Sequence, residues 1–241
     1  MVKLLQQLPA FFWRTAVMPL AVFPCPGCGS AAGRGRNSFC ADCRKLLPPI
    51  AEPHCPGCGG RLDGILQCCS KCVNIGPRPW REAYAGLEFR GYARDLLLRF
   101  KYSNVPELAH PFAELLAEYH PEAAQAADGL VPIPLHYLRY WKRSYNQAEL
   151  LARELGRHWH LPVLPVLRRV RPVLRQAGLT REQRLSNLKG AFRLRRRPDL
   201  AGRRLLVIDD VFTTGATLTA AVKLLQSAGA AEIRVLTLAR R

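Results

Sequence analysis

The chain reads as an α/β fold, a mostly parallel sheet with flanking helices, preceded by a small cysteine-rich module. Three observations predict this. Apolar runs without polar alternation, such as Leu205 to Ile208, suit strands buried on both faces. From Glu82 onward such runs alternate with segments of helical period, the pattern of a sheet wound with helices. All nine cysteines fall between Cys25 and Cys72. The 241 residues accommodate one medium domain and one small one, and 49% hydrophobic content supports a packed core.

The formal charge of +18, from 36 Lys and Arg against 18 Asp and Glu, points to polyanions: nucleic acid or a phosphorylated substrate. No apolar run reaches the length of a membrane span, so no stable membrane insertion is expected. The stretch from Leu4 to Phe23 is interrupted by Pro9, Arg14 and Pro19. It is expected to be a helix packing on the following module rather than a signal peptide.

Eight cysteines form four Cys-x-x-Cys pairs: Cys25/Cys28, Cys40/Cys43, Cys55/Cys58 and Cys69/Cys72. Two such knuckles supply four thiolates in tetrahedral geometry, and Gly29 and Gly59 after the second cysteine ease the turn. Repeated pairs in one short segment fit metal better than a secreted disulfide framework, and they imply a reducing, cytoplasmic compartment. The expectation is a double zinc ribbon with two structural zinc ions, the pairs used sequentially or, as a second choice, interleaved. Cys68 neighbours Cys69 and could replace it as a ligand, and His54 is a dispensable donor beside Cys55. A linker rich in Gly and Pro, Asn74 to Trp80, places the boundary between residues 1–76 and 77–241.

Beyond it, Glu82 to Phe89 reads as a strand, Tyr92 to Tyr102 as a short helix, and Pro106 to Tyr119 as a second. Leu130 to Pro134 is a short strand running into a basic, aromatic loop with Tyr137, Arg139, Tyr140, Trp141, Lys142 and Arg143. The helix that follows carries Ala148, Leu151, Ala152, Leu155 and Trp159 at core-face spacing. Leu161 to Val166 suggests another strand. Arg168 to Arg184 is a long polar segment of the kind used as a lid or binding loop, and Thr180 with Gln183 would cap a helix reaching Leu188. Ala191 to Leu194 and Ile233 to Leu238 read as strands.

Between these strands lies Leu205 to Leu218, reading LLVIDDVFTTGATL: a buried strand, Asp209 and Asp210, then a Thr/Gly turn and a helix stopping near Gly229. Backbone N–H groups of such a turn and of the helix start converge on an anion, and Gly215 allows close approach. No Gly-Lys-Ser/Thr follows, so this is not a Walker A loop. Carboxylates accept from vicinal hydroxyls and hold magnesium. A phosphate cradle beside a diol acceptor describes a ribose 5-phosphate.

This stretch resembles the PRPP-binding motif of type I phosphoribosyltransferases. The resemblance implies that Asp209 and Asp210 meet the ribose hydroxyls and magnesium, and that Thr213, Thr214, Gly215, Ala216 and Thr217 hold the 5-phosphate. It further implies that Arg143, Asn146 and Gln147 serve the diphosphate, and that Gln176, Arg181 and Arg184 close as a lid. The cysteine module, Phe100-Lys101-Tyr102, the Val-Pro-Ile-Pro strand, Arg143 to Ala148, Arg184-Leu185-Ser186-Asn187 and the Asp-Asp motif, in that order, resemble the ComF/GntX family of bacterial competence and DNA-utilisation proteins. Lys101 joins the ligand-holding set on that basis. Ser144 departs from the family, where glycine is usual. The implied function is handling of single-stranded DNA by a PRPP-binding protein, alongside the DNA-uptake machinery. A non-catalytic DNA-binding module reusing the fold, with Tyr137, Tyr140 and Trp141 stacking bases, is the alternative.

Overall fold

The structure is a computed structural model that describes residues 22–34, 37–62, 66–125, 127–135, 144–170, 190–195 and 198–241. The expected N-terminal helix, the aromatic loop and the capped helix near Thr180 lie outside these residues. The chain divides into two compact units, Met1–Pro48 and Pro49–Arg241.

In the first unit, β1 (Val22–Pro24) pairs antiparallel with β2 (Ala31–Arg34). A short helix α1 (Ala41–Lys45) follows, capped by Cys40, whose Sγ accepts from the Cys43 amide at 3.5 Å. Gly29, at φ +80°, closes the first knuckle with its amide on the Cys25 carbonyl at 2.7 Å.

The second unit holds the remaining cysteines as well as the sheet, so compactness divides the chain before the second pair of knuckles rather than at the Gly/Pro linker. The cause lies in hydrogen bonding along β3 (Glu82–Glu88). The Ala83 amide donates to the Pro56 carbonyl at 2.8 Å, and the Ile50 amide donates to the Gly86 carbonyl at 3.2 Å. Gly59, at φ +67°, sits so close that a Cβ there would lie 2.6 Å from the Ala85 nitrogen. The knuckle is seated on the backbone of β3, and α2 (Ser70–Ile75) follows from Cys69.

The sheet order is β3-β8-β7-β4, with every pair parallel. Here β4 is Gly129–Pro132, β7 is Arg204–Phe212 and β8 is Glu232–Arg240. Helices α3 (Gly91–Tyr102), α4 (Ala109–Tyr119), α5 (Gln147–Trp159) and α6 (Ala216–Ser227) cover it. Strand pleating sends alternate residues to opposite faces. Leu205 and Val207 join Ile233, Val235 and Val131 in one cluster with Leu218, Ala221, Val222 and Leu225 of α6. Leu206 and Ile208 face the other way, where α5 packs on β4, β7 and α4. Leu151 and Leu155 of that helix, and Phe112, Leu115 and Leu116 of α4, are fully buried. Each such leucine contributes about 1.5–3 kcal/mol relative to exposure. Coverage on both faces explains the continuous apolar runs in the sequence.

Two elements differ from the sequence reading. Leu161 to Val166 is not a strand but a single parallel bridge, Leu130 to Val163. Pro162 and Pro165 lack the N–H groups a ladder needs. The chain then forms β5 (Leu167–Arg169), antiparallel to β6 (Phe192–Leu194). Second, the central strand does not stop at Ile208. Its pairing with β4 ends at Pro132–Ile208, but pairing with β8 continues to Phe212–Arg240. Among the described residues no helix is long and apolar enough to cross a membrane.

Ser144 adopts φ +62°, a left-handed conformation that costs a side-chain-bearing residue about 1–2 kcal/mol. This explains why glycine suits the position. Ser144→Gly should raise stability by about 0.5–1 kcal/mol once glycine's greater unfolded-state freedom is deducted. A urea midpoint that stays level or falls would contradict this.

Candidate functional site

The site begins where β4 ends. Past Ile208, β7 runs on with β8 on one side and no β4 partner on the other, so residues 209–212 project beyond the β4 edge. Ligands of open α/β sheets bind in such crevices at the carboxyl ends of strands. The pleat directs Asp209 to the face of Leu205 and Val207, and Asp210 to the face of Leu206 and Ile208.

Asp210 Oδ2 lies 3.1 Å from Lys101 Nζ, with both side chains at least four-fifths buried. Lys101 stands in the last turn of α3. Asp209 Oδ1 accepts from the Asp210 amide at 2.9 Å. Burial, and then the Asp210 charge, push the Asp209 carboxyl up to about 7, against the weaker pull of Lys101 and Arg169. Two carboxylates therefore share a confined spot with too little cation to satisfy both. A bound cation or a ring of hydroxyl donors would relieve them.

The turn after β7 is shaped by one glycine. Gly215 has φ +76°, and a Cβ there would lie 2.8 Å from Phe212 Cζ and 3.0 Å from Arg78 Nη1. Arg78 Nη1 donates to the Thr214 carbonyl at 3.1 Å, and its guanidinium lies 5.3 Å from the Trp80 ring centre and 5.6 Å from that of Phe212. Thr214 Oγ1 accepts from the Ala216 amide at 3.4 Å, and α6 starts there. The leading amides of a 12-residue helix and the Thr213 and Thr217 hydroxyls then surround one end of α6, a site for an anion. Asp209, Asp210, Lys101 and the Thr213–Thr217 turn thus gather at a single crest.

Asn146 and Gln147 occupy its flank, but their amides donate inward. Asn146 Nδ2 donates to the Ile133 carbonyl and Gln147 Nε2 to the Phe100 carbonyl, each at 3.0 Å. Tyr145 donates to the same Phe100 carbonyl at 2.6 Å and accepts from the Val105 amide at 3.1 Å. The Tyr-Asn-Gln segment therefore braces the turn of α3 that carries Lys101. Arg143, Gln176, Arg181 and Arg184, and the aromatic residues Tyr137, Tyr140 and Trp141, lie outside the described residues.

The cysteines form two sequential tetrads, Cys25, Cys28, Cys40, Cys43 and Cys55, Cys58, Cys69, Cys72, each with its Sγ atoms within 4.8 Å of one another. Sγ separations of 3.6 Å (Cys28–Cys40) and 3.7 Å (Cys58–Cys69) are far beyond a disulfide bond. They match the ~3.8 Å edge of a thiolate tetrahedron around zinc. Ser30, by its hydroxyl and its backbone, holds the Cys28 thiol down at about 6, whereas burial and neighbouring thiols push Cys72 up. Four thiolates cannot share such a space without a cation, so the donor set fits zinc at both sites. Cys68 Sγ lies 3.7 Å from Cys55 Sγ, a fifth thiol at the second tetrad. Two arginines face that tetrad's sulfurs: Arg240 Nε at 3.1 Å from Cys58 and Arg78 Nη2 at 4.0 Å from Cys72. Sequence reading missed Arg78, Trp80, Arg169 and Arg240. Arg78 and Trp80 lay within the presumed linker, and an arginine beside a tryptophan among prolines was the available signal.

The phosphoribosyl transferase domain family matches residues 113–241. Competence protein F of Haemophilus influenzae is 33% identical over 225 residues, 90% of this chain and 97% of that protein. DNA utilization protein YhgH of Escherichia coli K12 is 32% identical over 178 residues, 71% of this chain and 77% of that one. Competence protein ComFC of Bacillus subtilis is 29% identical, covering 85% of each. Among solved structures, the glutamine phosphoribosylpyrophosphate amidotransferase of B. subtilis superimposes with a TM-score of 0.41 at 20% identity, covering 58% of this chain and 30% of that one.

The raised Asp209 carboxyl has a consequence for stability. The folded chain holds this proton more tightly than the unfolded chain, so Asp209 lowers stability as pH rises from about 4 to about 7. The slope is at most about 1.4 kcal/mol per pH unit. Asp209→Asn should remove that fall. Parallel urea curves for the two proteins at pH 5, 6, 7 and 8 should diverge progressively, and a pH-independent difference would contradict the assignment.

Proposed function

Since the chain belongs to the ComF family of competence and DNA-utilisation proteins and carries a phosphoribosyl transferase domain, we propose that the crest of β7 binds PRPP and serves the handling of single-stranded DNA. The observation that carries this reading is the juxtaposition of Asp209, Asp210 and Lys101 with the Thr213–Thr217 turn at one strand end. A ribose 5-phosphate has an anionic end and a vicinal diol, and the crest offers helix amides with hydroxyls beside two carboxylates. Asp209 and Asp210 are hard oxygen donors suited to magnesium, which would offset the charge of the departing diphosphate.

The chain's own residues then have distinct tasks. Thr213, Thr214 and Thr217, with the amides of α6, hold the 5-phosphate and so fix the ribose ring. Asp209 and Asp210 accept from the ring hydroxyls and favour the positive charge that grows at the anomeric carbon as its bond to diphosphate breaks. Lys101 holds the Asp210 side chain in place, 3.1 Å from its Oδ2, before ligand arrives. Arg143 is the proposed cation for the departing diphosphate, and Arg184 a lid residue that excludes water. In the cell the DNA-uptake machinery is the proposed partner, and the +18 charge suits a polyanionic strand.

The two cysteine tetrads are proposed as structural zinc sites, one in each compact unit. Structural zinc contributes on the order of 10 kcal/mol to a module too small to bury a core of its own.

The PRPP reading is tested by calorimetry. Asp209→Asn combined with Asp210→Asn should weaken PRPP binding more than 100-fold while circular dichroism stays unchanged, and undiminished affinity would refute it. Metal analysis of the purified chain should give two zinc ions, falling to one in Cys25→Ser/Cys28→Ser. A content of one in the parent protein would overturn the second assignment.

A further inference from the structure

Beside the crest, but not including its aspartates, lies a cavity of about 700 Å³. It opens between α2, the segment Pro77–Pro79, the end of β7 and the outer side of α6. Its walls carry Lys71, Arg78, Lys223 and Arg240, and no carboxylate among the described residues. Ile75 and Pro77 supply apolar surface over the buried Phe212, and Thr213 and Thr214 form the rim shared with the cradle.

Arg78 and Arg240 have the tetrad's sulfurs as counter-charge, but Lys71 and Lys223 stand in the same concave wall with no ion pair among the described residues, and they call for an anion. The volume falls in the range of pockets that hold drug-sized ligands, well beyond the need of an inorganic ion. Arg78 adds a second, independent sign. Its Nε is buried and has no hydrogen-bond partner among the described residues, although Nη1 is committed to Thr214 and the ring faces of Trp80 and Phe212 flank the guanidinium. A buried donor left unpaired is costly, and a small shift of the side chain toward an incoming acceptor would recover that cost. Lys71 and Lys223 are exposed on opposite walls and can reach a ligand without disturbing the core.

We propose that this cavity is a second ligand site, which takes the phosphate and flat ring of a nucleotide, either free or at the 5′ end of a strand. The phosphate meets Lys71, Lys223 and Arg78, and the ring lies along Ile75 and Pro77. The site adjoins the PRPP crest without its aspartates, and only one arm of its test rests on the reading of that crest given above. Through Arg78, which donates to the Thr214 carbonyl, the two sites share a wall.

Calorimetry with deoxythymidine monophosphate tests this on the full chain. One equivalent should bind, thymidine without phosphate should not, and Lys71→Glu/Lys223→Glu should weaken binding more than tenfold. The same variant should keep the PRPP affinity of the parent protein. Saturating PRPP should leave nucleotide binding in place. A 5′-phosphorylated oligothymidylate should lose affinity in the variant as the monophosphate does; of the two ligands, the one bound tighter by the parent identifies the source. Absence of nucleotide binding, indifference to the double substitution, or displacement by PRPP would each overturn the proposal. If PRPP fails to bind the parent protein, the PRPP reading of the crest falls, and the monophosphate, thymidine and variant arms decide the cavity alone.

Discussion

The arrangement depends on parallel strands that end at different heights. Strand β7 pairs with β4 only to Ile208, whereas its pairing with β8 continues to Phe212. On the β4 side the ladder closes with the Ile133 amide on the Ile208 carbonyl, while Pro132 and Pro134 fall on the opposite edge of β4, the side on which the Leu130 amide donates to Pro162. The overhang places Asp209 and Asp210 on a rigid strand with an open edge. Carboxylates on a mobile loop would have drifted toward water. Here burial keeps them close, with Lys101 beside Asp210, and two acids crowded at one spot make it ready for cation and hydroxyl ligands.

Support for the crest comes from parts distant in sequence. Arg78 ties the Thr214 carbonyl to a layer made of Trp80 and Phe212, and it also lies near the Cys72 sulfur. Arg240, the last residue of β8, donates to Cys58. The second cysteine cluster is therefore not a detached appendage. It shares second-layer contacts with the turn that holds the anion, so its integrity and the geometry of the turn are mechanically linked.

Much of this was legible in the chain. Helical period located α3, α4, α5 and α6, and apolar runs located β3, β4, β7 and β8, because periodicity reports burial directly. The cysteine spacing identified both tetrads, since a Cys-x-x-Cys knuckle is a local geometry. The Asp-Asp and Thr-Thr-Gly signature marked the crest because every residue in it lies within one strand–turn–helix unit. What could not be read was long-range. Nothing local says that Arg78 packs under a turn 136 residues later, or that Asn146 and Gln147 spend their amides on backbone carbonyls. The Leu161 to Val166 reading erred because apolar content masked two missing donors. The division of the chain depended on hydrogen bonds from a knuckle to a strand, which composition does not record.

That last feature has a further consequence. In a four-stranded sheet with β3 at one margin, the row of backbone groups on its outer side would be a template for other chains. Pro56, in the knuckle of Cys55 and Cys58, takes the Ala83 amide at that margin, and Ile50 just upstream donates to the Gly86 carbonyl. The fold of the thiol tetrad thus covers a margin open to strand-to-strand self-association. Any chemistry that opened this knuckle, such as oxidation of its sulfurs, would bare a sticky edge and turn a local injury into a route to aggregation.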